Sequence, residues 1–275
     1  FQHVEDEKVF PSNLSRGKLN YFDSDLYALL LKKMNSTKEP FLHCAFTGST
    51  HSPYDHPKSK NPRFKGEEAD YMNSMVYADK CLGDFIANCK TKPWFKNTIF
   101  VFVSDHGMTT VDVDNTIGLP AAVDKNEFRV PWSDALLHLY AKDASKIEPT
   151  YQALKQDSRF TTYKLDETPA HWHYKKSDDR YNRLGDLILV PKTIHQVFNL
   201  GTSKPTKGKH GFDNKEVDMR ASFMAWGPAF KKGLTIDGFE NVNVYPLVAH
   251  ILGLQYNPQA IDGKFEVLKP ILKNK

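Results

Sequence analysis

Asn97-Thr98-Ile99-Phe100-Val101-Phe102-Val103-Ser104-Asp105-His106-Gly107 is the stretch that decides the fold. Ile99–Val103 is apolar on both faces, follows a helical pattern and stops abruptly at Ser104. Such a run reads as a strand buried inside a sheet rather than one lying on its surface. Before it, from Glu67 to Lys90, apolar residues recur at Tyr71, Met75, Leu82, Phe85, Ile86 and Cys89, the repeat of a long amphipathic helix. Further upstream, Asp23 and Ser24 read as N-caps of a helix over Asp25–Met34. Phe41–Phe46 reads as a short strand that runs into the loop Thr47-Gly48-Ser49-Thr50-His51-Ser52-Pro53. Downstream, strands are expected at Leu136–Ala141, Asp186–Val190 and Ala221–Trp226. Helices are expected over Glu148–Lys155 and Val242–Leu252, the latter ended by Gly253. Strands alternating with helices predict one α/β domain over residues 1–275 with a mostly parallel sheet.

Composition agrees with a folded domain. Of 275 residues, 40% are hydrophobic and 25% charged, which excludes a disordered tail or a small disulfide scaffold. The longest apolar runs fall far short of the roughly 20 residues that span a bilayer. The net charge of +4 is spread along the chain, with mild basic clusters at Lys204–Lys209 and the C-terminal tail. A nucleic-acid polymer calls for a denser basic stripe, so small anionic substrates are the expected partners. Cys81 and Cys89 fall on one helix, about 12 Å apart along its axis, beyond disulfide reach. Free buried thiols are expected, with Cys44 the one candidate for a bridge. The chain starts at Phe1 with neither an initiator Met nor a signal peptide. This suggests a removed leader or a longer parent chain.

The chemistry concentrates where strands end. Asp105 and His106 close the Ile99–Val103 strand, and Gly107 frees the backbone to turn so that both side chains can face one ion. Open α/β sheets bind ligands at that carboxyl end. A carboxylate beside an imidazole suits zinc or manganese; the blander reading is an Asp capping a turn beside an incidental His. His210, in Gly208-Lys209-His210-Gly211-Phe212-Asp213-Asn214, and His51 stand on further loops that could reach the same place. His56, His171, His173 and His195 have weaker settings. His250, on an apolar helix, reads as a satisfied core histidine.

These motifs resemble a known family. Val101–Met108, Gly208–Asp213, Met224-Ala225-Trp226-Gly227-Pro228-Ala229-Phe230 and Phe239–Tyr245 are similar to nucleotide pyrophosphatase/phosphodiesterases of the alkaline phosphatase superfamily. The resemblance covers about residues 98–272. His171-Trp172-His173-Tyr174 followed by Arg183-Leu184-Gly185-Asp186 resembles the segment that precedes that family's last metal histidine. Residues 20–106 resemble another branch, the lipoteichoic acid synthase-like sulfatases. That second likeness rests on Glu39-Pro40-Phe41, Thr50-His51-Ser52-Pro53-Tyr54 and Asn73-Ser74-Met75-Val76-Tyr77-Ala78-Asp79-Lys80-Cys81-Leu82-Gly83, and a mosaic chain is one way to account for both. The implied fold is an alkaline-phosphatase-like sheet sandwiched by helices, with the family's N-terminal part lacking here.

The resemblance implies roles residue by residue. Asp105 and His106 would bind one divalent metal, zinc or manganese. His210 and His51 would bind a second ion or hold the substrate phosphate, and Asp213 would orient His210. Thr47 stands where the phosphodiesterases carry a carboxylate, which weakens the second ion's site. The family's Thr or Ser nucleophile lies upstream of the segment matching Phe41–Phe46. No such motif is legible in the forty or so residues before it, so no nucleophile is nominated. The expected activity is metal-dependent hydrolysis of small phosphoesters by in-line attack. The alternatives are a non-catalytic metal- or phosphate-binding fragment and a sulfatase or phosphoglycerol transferase. None of the three cysteines sits in a Cys-x-Pro-x-Arg motif, which disfavours formylglycine sulfatase chemistry. An extracytoplasmic location is implied, with membrane association through a segment not in this chain. Asn13-Leu14-Ser15 and Asn35-Ser36-Thr37 match glycosylation sequons.

Overall fold

A computed structural model describes residues 6–131 and 134–273. Backbone proximity divides the chain into two compact units, Phe1–Thr98 and Ile99–Lys275.

The first unit is built on two helices, α1 (Asp23–Ser36) and α2 (Ala69–Lys90). Tyr27 of α1 stacks on Phe85 of α2 at 4.8 Å, and the Tyr77 hydroxyl donates to Ser24 Oγ at 2.8 Å. Cys81, Phe85 and Cys89 form the buried stripe of α2, four residues apart as a helix face requires. Met75, expected on that stripe, is exposed. Trp94 closes the far end, its indole N–H donating to Asn35 Oδ1 at 3.1 Å. The three cysteines are free thiols, Cys44 exposed and the other two buried.

Two expectations change here. The helix starts one turn position earlier than its expected caps, with Phe22 as N-cap and no side-chain cap bond. Asp23 instead turns inward, 2% exposed, and accepts from Gly48 N–H, Ser49 N–H and Ser49 Oγ. A carboxylate with three donors from one loop stabilises that loop more than a helix end. Phe41–Phe46 is extended without a ladder, and Phe46 is 86% exposed. An apolar run becomes a strand only when a neighbour pairs with its backbone.

Among the described residues, the named strands all lie in the second unit. β1 (Phe100–Val103) is followed by β2 (Thr109–Thr110), β3 (Phe128–Arg129) and β4 (Leu137–Ala141). Helix α3 (Ile147–Leu154) then leads to β5 (Phe160–Lys164), β6 (Leu187–Pro191), β7 (Gly208–Lys209) and β8 (Phe223–Trp226). The chain closes with α4 (Val244–Ile251) and a single turn, α5 (Phe265–Leu268). Strands β3-β4-β6-β5 form a four-stranded sheet, while β1/β8 and β2/β7 form two-stranded ladders.

The sheet expected to be mostly parallel is antiparallel in every ladder of the described residues. A single parallel bridge joins Ile117 and Phe198. The physical reason lies in β4-α3-β5. Both strands pair antiparallel with β6, so they run in the same direction, as strand–helix–strand alternation predicts. β6, arriving later in the sequence, lies between them. Register places Leu137 opposite Leu189 and Leu139 opposite Leu187. All four are fully buried with Phe128, Phe160, Leu154 and Phe198, and this is the main core of the unit. A second core, Phe230, Leu247, Leu268 and Ile271, seats α4 and α5 beneath β1 and β8. His250 on α4 is exposed and stacks on Phe265 at 4.0 Å, so it is not the satisfied core histidine the apolar pattern suggested.

Candidate functional site

The site in the second unit is assembled by a ladder of two residue pairs. Thr109 of β2 pairs with Lys209 of β7, which brings the residues just before β2 beside those just after β7. Ser104 N–H donates to Ser222 O, and Gly107 N–H to Met219 O, both at 3.0 Å, fixing the turn that carries Asp105 and His106. A Cβ on Gly107 would stand 2.1 Å from Asp218 O and 2.7 Å from Arg220 O. Glycine is required there because another backbone passes at contact distance, and not because of the turn angle the sequence suggested.

His106 and His210 meet face to face, with ring centroids 3.7 Å apart and planes 18° from parallel. His106 Nδ1 lies 2.7 Å from its neighbour's carbonyl, Gly107 O, so it carries the ring proton and leaves the Nε2 lone pair free. That Nε2 is 3.5 Å from Asp105 Oδ2. Two donors bound to one zinc ion at about 2 Å each, near a tetrahedral angle, stand roughly 3.3–3.5 Å apart. Asp105 and His106 therefore have the bite of two ligands sharing an ion. His210 does not complete a three-ligand set as it stands, because nearly parallel rings aim their lone pairs side by side. Among the described residues no group of three or more His, Cys, Asp or Glu is arranged around a metal position.

Electrostatics favour the neutral form of His210. Burial pushes the His210 pKa below its ordinary value, and His106 beside it pushes the same way. The carboxylates of Asp134 and Asp105 oppose that shift in part. Asp134 also accepts from Lys209 Nζ at 2.8 Å.

Asp213 has a partner that the sequence did not suggest. Its carboxylate accepts from His171 Nε2 at 2.9 Å and from the Trp172 indole at 2.9 Å, so its bonds go to those side chains and not to His210. It also accepts from Lys215 N–H at 2.9 Å, and its pKa is held below the ordinary carboxylate value, the hydrogen bonds outweighing partial burial. The signal was present as His171-Trp172, but the partner is distant in sequence. A small cavity lined by Trp172, Tyr174, Phe212, Leu136, Asp213 and Asn214 adjoins this cluster.

His51 and Thr47 belong to the first unit. His51 is exposed on its loop, with Nδ1 2.7 Å from Ser52 O. Two further histidines hold the backbone: His56 Nδ1 lies 2.9 Å from Tyr54 O, and His195 Nδ1 2.9 Å from Thr110 O.

Solved structures place the chain among proteins of the alkaline-phosphatase-like α/β fold. Human ectonucleotide pyrophosphatase/phosphodiesterase 5 superposes with a TM-score of 0.64 at 27% identity, over 74% of this chain and 53% of that one. The murine form in an inactive complex with AMP gives the same TM-score at 28% identity, over 74% and 53%. A family model for type I phosphodiesterase / nucleotide pyrophosphatase matches residues 31–213, and the chain belongs to that family. Among curated relatives, ectonucleotide pyrophosphatase/phosphodiesterase family member 5 of Homo sapiens is 29% identical over 76% of this chain and 43% of its own. Bis(5'-adenosyl)-triphosphatase ENPP4 of Bos taurus is 29% identical over 80% and 47%. The chain thus spans about half the length of the curated relatives it matches.

Proposed function

We propose that this chain is the histidine-bearing part of a metal-dependent hydrolase of small phosphoesters, of the phosphodiesterase or nucleotide pyrophosphatase type. The convergence of Asp105, His106 and His210 carries the reading. Residues from two loops far apart in the sequence of the second unit meet, and two of them have the bite of a shared ion. Asp105 and His106 would hold zinc or manganese, which when bound supplies Lewis-acid stabilisation of a phosphoryl oxygen. Neutral His210 would donate to, or help hold, the transferring group. No attacking hydroxyl is nominated among these residues. Membership of the family supports small nucleotide-like phosphoesters as substrates, not nucleic-acid polymers, and a site of action outside the cytoplasm. Both units are taken as parts of one alkaline-phosphatase-like domain.

A second reading, a metal- or phosphate-binding protein without turnover, is favoured by one observation. Thr47, a weak neutral ligand, occupies the place where the phosphodiesterases carry a carboxylate. Metal content of protein dialysed against zinc or manganese, with Asp105→Ala as control, tests both readings at once. Bound ion lost in the variant, together with hydrolysis of a chromogenic phosphodiester, supports the hydrolase. Bound ion without hydrolysis supports the second reading. A folded chain that holds neither the ion nor inorganic phosphate sinks both.

A further inference from the structure

We propose that His171 and Trp172, acting through Asp213, are positioning residues that hold the His210 loop against His106. The inference rests on reading His210 as part of the site.

His210 stands between two flexible points, Gly208 and Gly211, the second with φ +89 in the region that favours glycine. A histidine so placed would sample many orientations unless both flanks were fixed. The upstream flank is fixed by the β2/β7 ladder and by the ion pair of Lys209 with Asp134, whose side chains are 16% and 30% exposed. The downstream flank has no ladder. Its anchor is the Asp213 carboxylate, which takes hydrogen bonds from His171 Nε2, Trp172 Nε1 and Lys215 N–H, each at 2.9 Å. Bonds to an ionised carboxylate are the stronger kind, and side-chain donors from a separate segment tie the loop to the rest of the unit.

The donors are themselves held. Ala170–Trp172 forms a single tight turn, closed by His173 in the left-handed region at φ +55. The Trp172 ring meets Tyr163 of β5 edge to face at 5.6 Å and Tyr174 at 5.9 Å. The clamp thus transmits the rigidity of the four-stranded sheet to a loop that lies outside it. Between clamp and His210 only Gly211 and the nearly buried Phe212 intervene. His210 is thereby fixed from both sides, and its 3.7 Å stack on His106 follows.

The test is the His106–His210 ring contact itself, read as a nuclear Overhauser effect in protein with labelled histidine, without metal. His171→Ala and the milder Trp172→Phe should weaken or abolish that contact while the chain stays folded. His171→Arg, which keeps a side-chain N–H donor, should restore it. Leu189→Ala loosens the core without touching the clamp and should leave the contact in place, which separates positioning from general destabilisation. A contact unchanged in both His171→Ala and Trp172→Phe, or lost equally in Leu189→Ala, overturns the clamp. A zinc titration of wild type and His210→Ala runs alongside. Equal affinities there remove His210 from the metal site without bearing on the clamp, so the two failures can be told apart.

Discussion

His106 and His210 stack with their rings 3.7 Å apart although each belongs to a different strand-end loop. The contact has an electrostatic consequence, because two imidazolium ions cannot comfortably share that distance. Burial and His106 together keep His210 neutral to lower pH than a free imidazole.

Stability should therefore fall on mild acidification. A histidine whose folded pKa lies below its unfolded value of about 6.5 favours folding above that pH. Its contribution is lost as pH falls through 6.5 toward the folded pKa. His138 acts in the same direction. It is half-buried, its pKa is lowered by that burial, and its Nδ1 accepts from Gly185 N–H at 3.3 Å, a bond that protonation would break. Urea unfolding at pH 7.5 and pH 5 should show the loss, and His210→Asn and His138→Asn should each remove part of it. A pH-independent midpoint in wild type would contradict both assignments.

Gly107→Ala should be far more disruptive than its size suggests. The added Cβ would lie 2.1 Å from Asp218 O, a backbone atom that cannot rotate away. Overpacking of this kind costs about 1–3 kcal/mol. The displacement falls on His106, so ion binding should fail in the variant even at temperatures where it remains folded. Calorimetric unfolding and a metal titration on the same sample check the two halves of this expectation.

The same contrast shows what was legible in the sequence. Ile99–Val103, Leu136–Ala141, Asp186–Val190 and Ala221–Trp226 all appear as strands within one or two residues of their expected bounds, because continuous apolar runs mark buried strands. Phe160–Lys164 escaped notice because it reads Phe-Thr-Thr-Tyr-Lys, where alternate burial falls on threonine. Strand direction was hidden for another reason. Order along the chain shows that β4 and β5 are joined through a helix, but not that β6 inserts between them. In the site, strand-end position identified Asp105, His106 and His210. The grip of His171 and Trp172 on Asp213 was out of reach, since nothing in a local motif names a partner forty residues away.

Gly83 offers the opposite outcome from Gly107. It is an exposed position within α2, and nothing lies within 4 Å of a Cβ built there. Helix interiors favour alanine over glycine by roughly 0.5–1 kcal/mol. Gly83→Ala should raise the unfolding midpoint by a corresponding amount, whereas a lowered midpoint would mean that this face of α2 is covered. Leu189→Ala, at a fully buried position of the central strand, should cost about 2–5 kcal/mol.

Asp23 ties helix α1 to the loop that carries His51. Its buried carboxylate accepts from Ser49 Oγ at 2.8 Å and from the N–H groups of Gly48 and Ser49 at 3.2 Å, while its own N–H donates to Ser49 Oγ at 3.2 Å. Removing the acceptor in Asp23→Ala leaves those donors without it in a buried place, at a cost of about 1–3 kcal/mol. Asp23→Asn keeps one acceptor oxygen and should lose less. Ser49→Ala removes one donor to the carboxylate and one acceptor for the Asp23 N–H while leaving the two backbone bonds, so it should fall between wild type and Asp23→Ala. The order of the three midpoints is the check, together with hydrogen exchange of the Gly48 and Ser49 amides. If those amides exchange no faster in Asp23→Ala, the carboxylate does not hold the loop, and the placement of His51 must depend on something else.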